Sequence, residues 1–141
     1  MIATAHRARR WSSRTSRRWL AALEGVIAVN AVGGGIYGLA GAKDVPLEWL
    51  EGSLFDSYLI PSLVLLILVG GSMAVACALH VAGHRRATDA SIAAASILLG
   101  WIAVEVTIIP FSWLQPVFAI LGLLVLVLAV YQRRRGRPSV R

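Results

Sequence analysis

Charge is scarce in this chain. Only 15 % of its residues are Asp, Glu, Lys or Arg, against about 25 % in an ordinary soluble domain. Acidic residues are the rarer kind, seven against fourteen basic ones. The one cysteine, Cys77, excludes an intrachain disulfide and any CxxC redox or zinc motif; lying in an apolar run, it reads as a small buried side chain. The sequence contains no HExxH, no G-x-S-x-G, no Walker motif, no dinucleotide fingerprint and no convincing internal repeat. It therefore offers no catalytic residue, no cofactor and no metal site.

What fills the chain instead is apolar. The hydrophobic fraction is 57 % and the mean hydropathy +0.71. At 141 residues there is room for one domain, and a soluble domain of that size could not bury so much apolar surface. The class is an all-α integral membrane protein. The net charge of +7 raises nucleic acid or anionic lipid as partners. Its distribution decides for the membrane, because the arginines fall at Arg7 to Arg18, Arg85-Arg86 and Arg133 to Arg141. Each cluster borders an apolar run, as the positive-inside rule requires, whereas a nucleic-acid surface puts a basic stripe on a folded polar domain.

Hydropathy predicts a four-helix transmembrane bundle over residues 19–132, with spans near 19–40, 58–79, 90–109 and 114–131. Basic tails, 1–18 and 133–141, flank it. Both termini are expected on the cytoplasmic side of a bacterial plasma membrane, their arginines against anionic lipids. Arg17-Arg18 followed by an apolar run and Ala40-Gly41-Ala42 has the outline of a twin-arginine export signal. The run exceeds 20 residues and holds Glu24 and Asn30, too long and too polar for a 7–15 residue signal core.

Gly34 and Gly38 have G-x-x-x-G spacing, which lets a second helix approach closely; that partner is an intrachain helix or a second copy. Residues 42–57 form the acidic external loop with Glu48, Glu51 and Asp56. Pro46 starts, and Gly52-Ser53 ends, a predicted short amphipathic helix with Leu47, Leu50 and Leu54 on one face and Trp49 beside them. Glu48, Trp49, Leu50, Glu51 and Asp56 are the candidate partner-binding residues, for a second copy or another membrane protein. On the inner side, His80 and His84 stand four apart with no complete ligand shell beyond Asp89, and read as a solvated interfacial pair.

Glu105 stands inside the third span, where a bare carboxylate is costly. At 1.5 Å per residue it lies about 6–8 Å from the outer end. Residues expected at that level are Gly33 to Tyr37, Tyr58 to Ser62, and Gln115. Tyr37, Tyr58, Ser62 and Gln115 would then supply hydrogen bonds, and the glycine run would leave a small polar pocket under the external loop. His80 and His84 lie at the other face, roughly 25–30 Å away across a bilayer of ordinary thickness.

The segments Pro46-Leu47-Glu48-Trp49-Leu50-Glu51-Gly52-Ser53, Phe55-Asp56-Ser57-Tyr58-Leu59-Ile60-Pro61, Gly100-Trp101-Ile102-Ala103-Val104-Glu105-Val106 and Trp113-Leu114-Gln115-Pro116 resemble a family of small bacterial membrane proteins with four spans. The likeness covers about residues 19–131. It implies the same architecture, with the loop motif between the first two spans, and no particular activity or cofactor. In general form the chain also resembles DoxX-like four-span proteins. The expected function is non-enzymatic binding of a partner or lipid through the outer pocket and acidic loop. Alternatives are a proton-coupled transporter or channel subunit with Glu105 titrating, and an intramembrane enzyme on a lipid-like substrate.

Overall fold

The computed structural model describes residues 2–136, with side chains for 14–135. Four helices long and apolar enough to span a membrane account for most of them, with no strand among the described residues. They are α1 (Ile2–Leu39), α2 (Leu59–Val81), α3 (Ala87–Ile108) and α4 (Leu114–Gly136). Residues 2–18 of the basic N-terminal segment belong to α1. Residues 137–141 of the expected C-terminal tail lie outside the described residues. The helices also overrun several of the spans expected from hydropathy, to Val81 and back to Ala87. Hydropathy marks the apolar part of a helix, whereas the backbone bonds continue through its polar flanks.

Each helix packs on its neighbour, α1 on α2, α2 on α3, α3 on α4, and α4 back on α1. The core is a set of stripes at helical spacing: Leu20, Ile27 and Ala31 on α1; Val69, Met73 and Ala76 on α2; Ala94, Ala95 and Leu98 on α3; Val125 and Ala129 on α4. Because lipid is as apolar as leucine, close packing rather than water exclusion drives association, and the many alanines allow it. Gly34 and Gly38 serve the α1–α2 contact within the chain. A Cβ on Gly38 would overlap Ser62 Oγ, and one on Gly35 would come within 2.9 Å of the Ser62 carbonyl oxygen and 2.6 Å of Leu66 Cβ. Opposite these glycines α2 widens, over Val64–Gly70, into a π-helical stretch. Pro61 falls in the first turn of α2, where its missing N–H costs no helix bond.

Helix ends at opposite sides of the bundle close alike. At Gly83 (φ +72°), the Gly83 N–H donates to the His80 carbonyl and the His84 N–H to that of Leu79. Gly41 (φ +100°) ends α1 with the same pair of bonds, to Gly38 and Tyr37. This double bond pattern needs a left-handed residue, which glycine adopts without strain. Between α1 and α2 the loop holds a single 3-10 turn, Leu47–Leu50. Leu50 is buried, but Leu47 is exposed and Leu54 is 97 % exposed. The three leucines therefore do not form the apolar face expected of an amphipathic helix, since one turn cannot align positions seven apart. The polar flank of α4 bonds to its neighbours: Gln132 Nε2 donates to Ser16 Oγ of α1 at 2.6 Å, and Arg133 approaches Asp89 of α3 at 3.4 Å.

Candidate functional sites

Two polar sites lie inside the bundle, one in each half. In the half nearer the termini, Glu24, His80 and Ser91 occupy core positions of three helices. Glu24 extends the stripe of Leu20, Ile27 and Ala31; His80 extends that of Val69, Met73 and Ala76; Ser91 extends that of Ala94 and Leu98. Glu24 and Ser91 are fully buried and His80 is 4 % exposed. Glu24 Oε2 lies 3.0 Å from His80 Nδ1, and Ser91 Oγ donates to Glu24 Oε1. Ser91 Oγ also lies 3.0 Å from the Ala87 carbonyl and 3.4 Å from His80 Nδ1. With one hydroxyl proton, it satisfies one acceptor at a time. A carboxylate bonded to Nδ1 fixes the ring and leaves Nε2 as its free edge. His80 Nε2 is buried without a hydrogen-bond partner.

Sequence reasoning placed His80 in the inner loop beside His84, and the structure corrects this. Side chains on a helix tilt toward its N-terminus, so on α2 a residue next to the end is aimed back into the bundle. His84 lies beyond the left-handed turn at Gly83 and accepts from the Arg86 N–H; the two histidines do not share a helix face. No group of three metal-ligating side chains occurs among the described residues. Of the two carboxylates Glu24 and Glu105, Glu24 is the more deeply buried. No sequence signal marks Glu24, His80 and Ser91 as a site, because core and lipid-facing positions of these spans are alike apolar, and the register of 24, 80 and 91 with the core emerges only in the structure.

In the opposite half, residues of all four helices line a cavity of about 280 Å³ that is open on one side. Its lining is apolar, from Ile27, Leu65, Val69, Leu98, Ile102 and Phe118 among others, with Asn30, Trp101 and Glu105 as its polar members. Trp101 and Glu105, four apart on α3, share a face. Trp101 Nε1 is buried with no hydrogen-bond partner. Asn30 Nδ2 donates back to the Val26 carbonyl at 2.9 Å.

Of the expected partners of Glu105, none lines this cavity. The Tyr37 hydroxyl donates to the Lys43 carbonyl, and that of Tyr58 to the Pro46 carbonyl at 2.8 Å. Both tyrosines hold the loop. Burial pushes the Tyr58 phenol above its ordinary value. Ser62 is buried against Gly38. Gln115 is buried, accepts from the Ser112 N–H at 3.3 Å, and leaves its Nε2 without a partner. Counting Cα levels misplaced these residues because the Glu105 side chain tilts back along α3, about a turn deeper, where it meets the level of Asn30, Gly34 and Leu65.

In the loop, Glu48, Trp49, Glu51 and Asp56 are exposed and Leu50 is buried. Cys77 lies between α1 and α2, its thiol donating to the Ala21 carbonyl at 3.2 Å. Comparison of the chain with protein-family models, curated proteins and solved structures finds no match, so its function is argued from its own residues.

Proposed function

We propose that this multi-pass membrane protein is a non-enzymatic binder of a single-chain amphiphile, seated in the cavity at Glu105. The carrying observation is an apolar cavity bounded by all four helices that holds both a carboxylate and an unpartnered indole N–H. Ligand sites are mostly apolar with a few placed polar groups, and their volumes run from about 300 to 1,000 Å³. At about 280 Å³ this one suits a small molecule or one alkyl chain, not a two-chain phospholipid. Glu105 selects a head that donates, an amine or hydroxyl; Trp101 adds a bond to an acceptor. No hydroxyl, thiol or imidazole lines the cavity, which favours binding over catalysis. The arginine clusters support cytoplasmic termini in a bacterial plasma membrane, with the acidic loop outside as a surface for a protein partner.

Native mass spectrometry of the detergent-solubilised protein with decylamine and decanoate tests this. One decylamine per chain should bind in preference to decanoate, and Glu105→Gln should remove the preference. Equal binding of both probes, unaffected by the substitution, would sink the proposal.

A second reading, a proton-coupled transporter or channel subunit, is favoured by the Glu24–His80–Ser91 cluster. It places a second ionisable site in series with Glu105 along the bundle. Intramembrane ionisable groups of this kind mark proton relays. Proton flux into proteoliposomes, abolished by Glu105→Gln and by Glu24→Gln, would favour it; flux indistinguishable from empty liposomes would dismiss it.

A further inference from the structure

The end of the bundle that carries the termini holds a larger cavity, about 540 Å³, lined by Arg14, Arg17, Arg18 and Ala21 of α1 and by residues 80–83 at the close of α2. Positions 14, 17, 18 and 21 share one helix face, so three arginines line the space beside the end of α2. No carboxylate lines the space. The nearby acids are engaged elsewhere, Glu24 with His80 and Ser91, and Asp89 with Arg133. Among the described residues neither Arg14 nor Arg18 has an acidic partner.

Arg17 is the member bonded to α2. Its Nη2 donates to the His80 carbonyl at 3.2 Å, which covers the negative end of α2. A Cβ on Gly83 would come within 3.1 Å of that same nitrogen, so glycine leaves room for the guanidinium as well as allowing the turn. Val81, in the cavity wall, is largely exposed, and Ala78 and Ala74, which follow it on the same face of α2, are exposed too. An apolar flank therefore begins at the cavity wall and runs along α2 away from the arginines.

We propose that this cavity binds the phosphate headgroup of an anionic phospholipid from the leaflet on the side of the termini. Arg14, Arg17 and Arg18 take the phosphate oxygens in charge-assisted bonds, for which the arginine fork is suited. The acyl chains run along the flank of Val81, Ala78 and Ala74. This commits to a lipid rather than a soluble anion because the charged cavity and the apolar flank are continuous.

The test is isothermal titration calorimetry on the full-length protein in detergent, with dihexanoyl phosphatidylglycerol, dihexanoyl phosphatidylcholine and glycerol 3-phosphate. The phosphatidylglycerol should bind at one per chain and about tenfold or more tighter than the choline lipid. Arg14→Gln, Arg17→Gln and Arg18→Gln together should weaken it roughly a hundredfold, about fivefold per arginine. Arg133→Gln, Arg134→Gln and Arg135→Gln together should change it by less than about twofold, being outside the cavity. Arg17→Lys, which keeps charge and fold but loses the fork, should weaken it several-fold, and it stands in if the triple variant fails to fold. The proposal is overturned if both triple variants lose affinity equally, which means diffuse attraction to the basic ends. It is also overturned if the cavity variants bind as the native chain does, or if glycerol 3-phosphate binds as tightly as the lipid, which makes the occupant a soluble phosphate.

Discussion

Replacing Glu24 by leucine removes the carboxylate that holds the His80 ring across the α1–α2 interface. The 3.0 Å contact joins side chains with no exposed surface, so His80 Nδ1 would keep only the Ala76 carbonyl at 3.2 Å and the weaker contact to Ser91. Breaking a buried pair from one side costs about 3–5 kcal/mol in soluble proteins. Hydrogen bonds between membrane helices average nearer 0.6 kcal/mol, reaching about 2, because the unfolded chain in lipid also finds partners. Combining the two ranges gives an expected cost of about 2–3 kcal/mol for Glu24→Leu, and a similar one for His80→Leu. The double substitution leaves no orphaned polar group between the two positions and should cost well under the sum. A coupling of about 1.5 kcal/mol or more is expected. Equilibrium unfolding of the four proteins by SDS in mixed micelles measures it. Additivity within about 0.5 kcal/mol would refute the reasoning, since the pair would then contribute no more than two separate polar side chains.

The glycines of α1 should separate by what faces them. Gly35→Ala sets a Cβ 2.9 Å from the Ser62 carbonyl oxygen and 2.6 Å from Leu66 Cβ, and should lower stability by about 1–3 kcal/mol through overpacking. Gly33→Ala meets nothing within 4 Å and should be neutral or stabilising by up to about 1 kcal/mol from helix propensity. Equal SDS midpoints for the two would show that α1 and α2 do not pack as described. Tyr58→Phe, losing the bond to the Pro46 carbonyl, should speed tryptic cleavage at Lys43. Because burial raises the Tyr58 phenol, its contribution is complete below the unfolded value near 10 and fades only as pH rises through the higher folded one. Ultraviolet titration of the native chain against Tyr58→Phe should find this phenol ionising above pH 10, and ionisation at or below it contradicts the assignment.

Glu105 and Glu24 show how far the chain can be read without its fold. Glu105 was singled out as a carboxylate within an apolar run, and it does line a cavity at its depth. Its predicted companions came from counting residues inward from the helix ends, which treats side chains as perpendicular to the axis. Glu24 stood in plain view but near a span boundary, where a charge is ordinarily solvated. Its importance depends on His80 and Ser91, 56 and 67 residues away, and no local pattern links them.

Four apolar stretches of spanning length, separated by turns rich in glycine, proline and charge, were enough to determine four helices and their order. Lipid supplies no hydrogen-bond partners, so each stretch must satisfy its backbone within itself, and helix is the outcome for an apolar run of that length. Which faces of those helices meet is a different matter. In an apolar solvent the hydrophobic pattern does not choose a face. The choice falls to close packing at Gly35, Gly38 and the alanines, and to polar groups that must find one another. Tertiary structure therefore decided that Glu24 pairs with His80, that the two tyrosines hold the loop rather than Glu105, and that Arg17 bonds to the end of α2 in a cavity lined by three arginines.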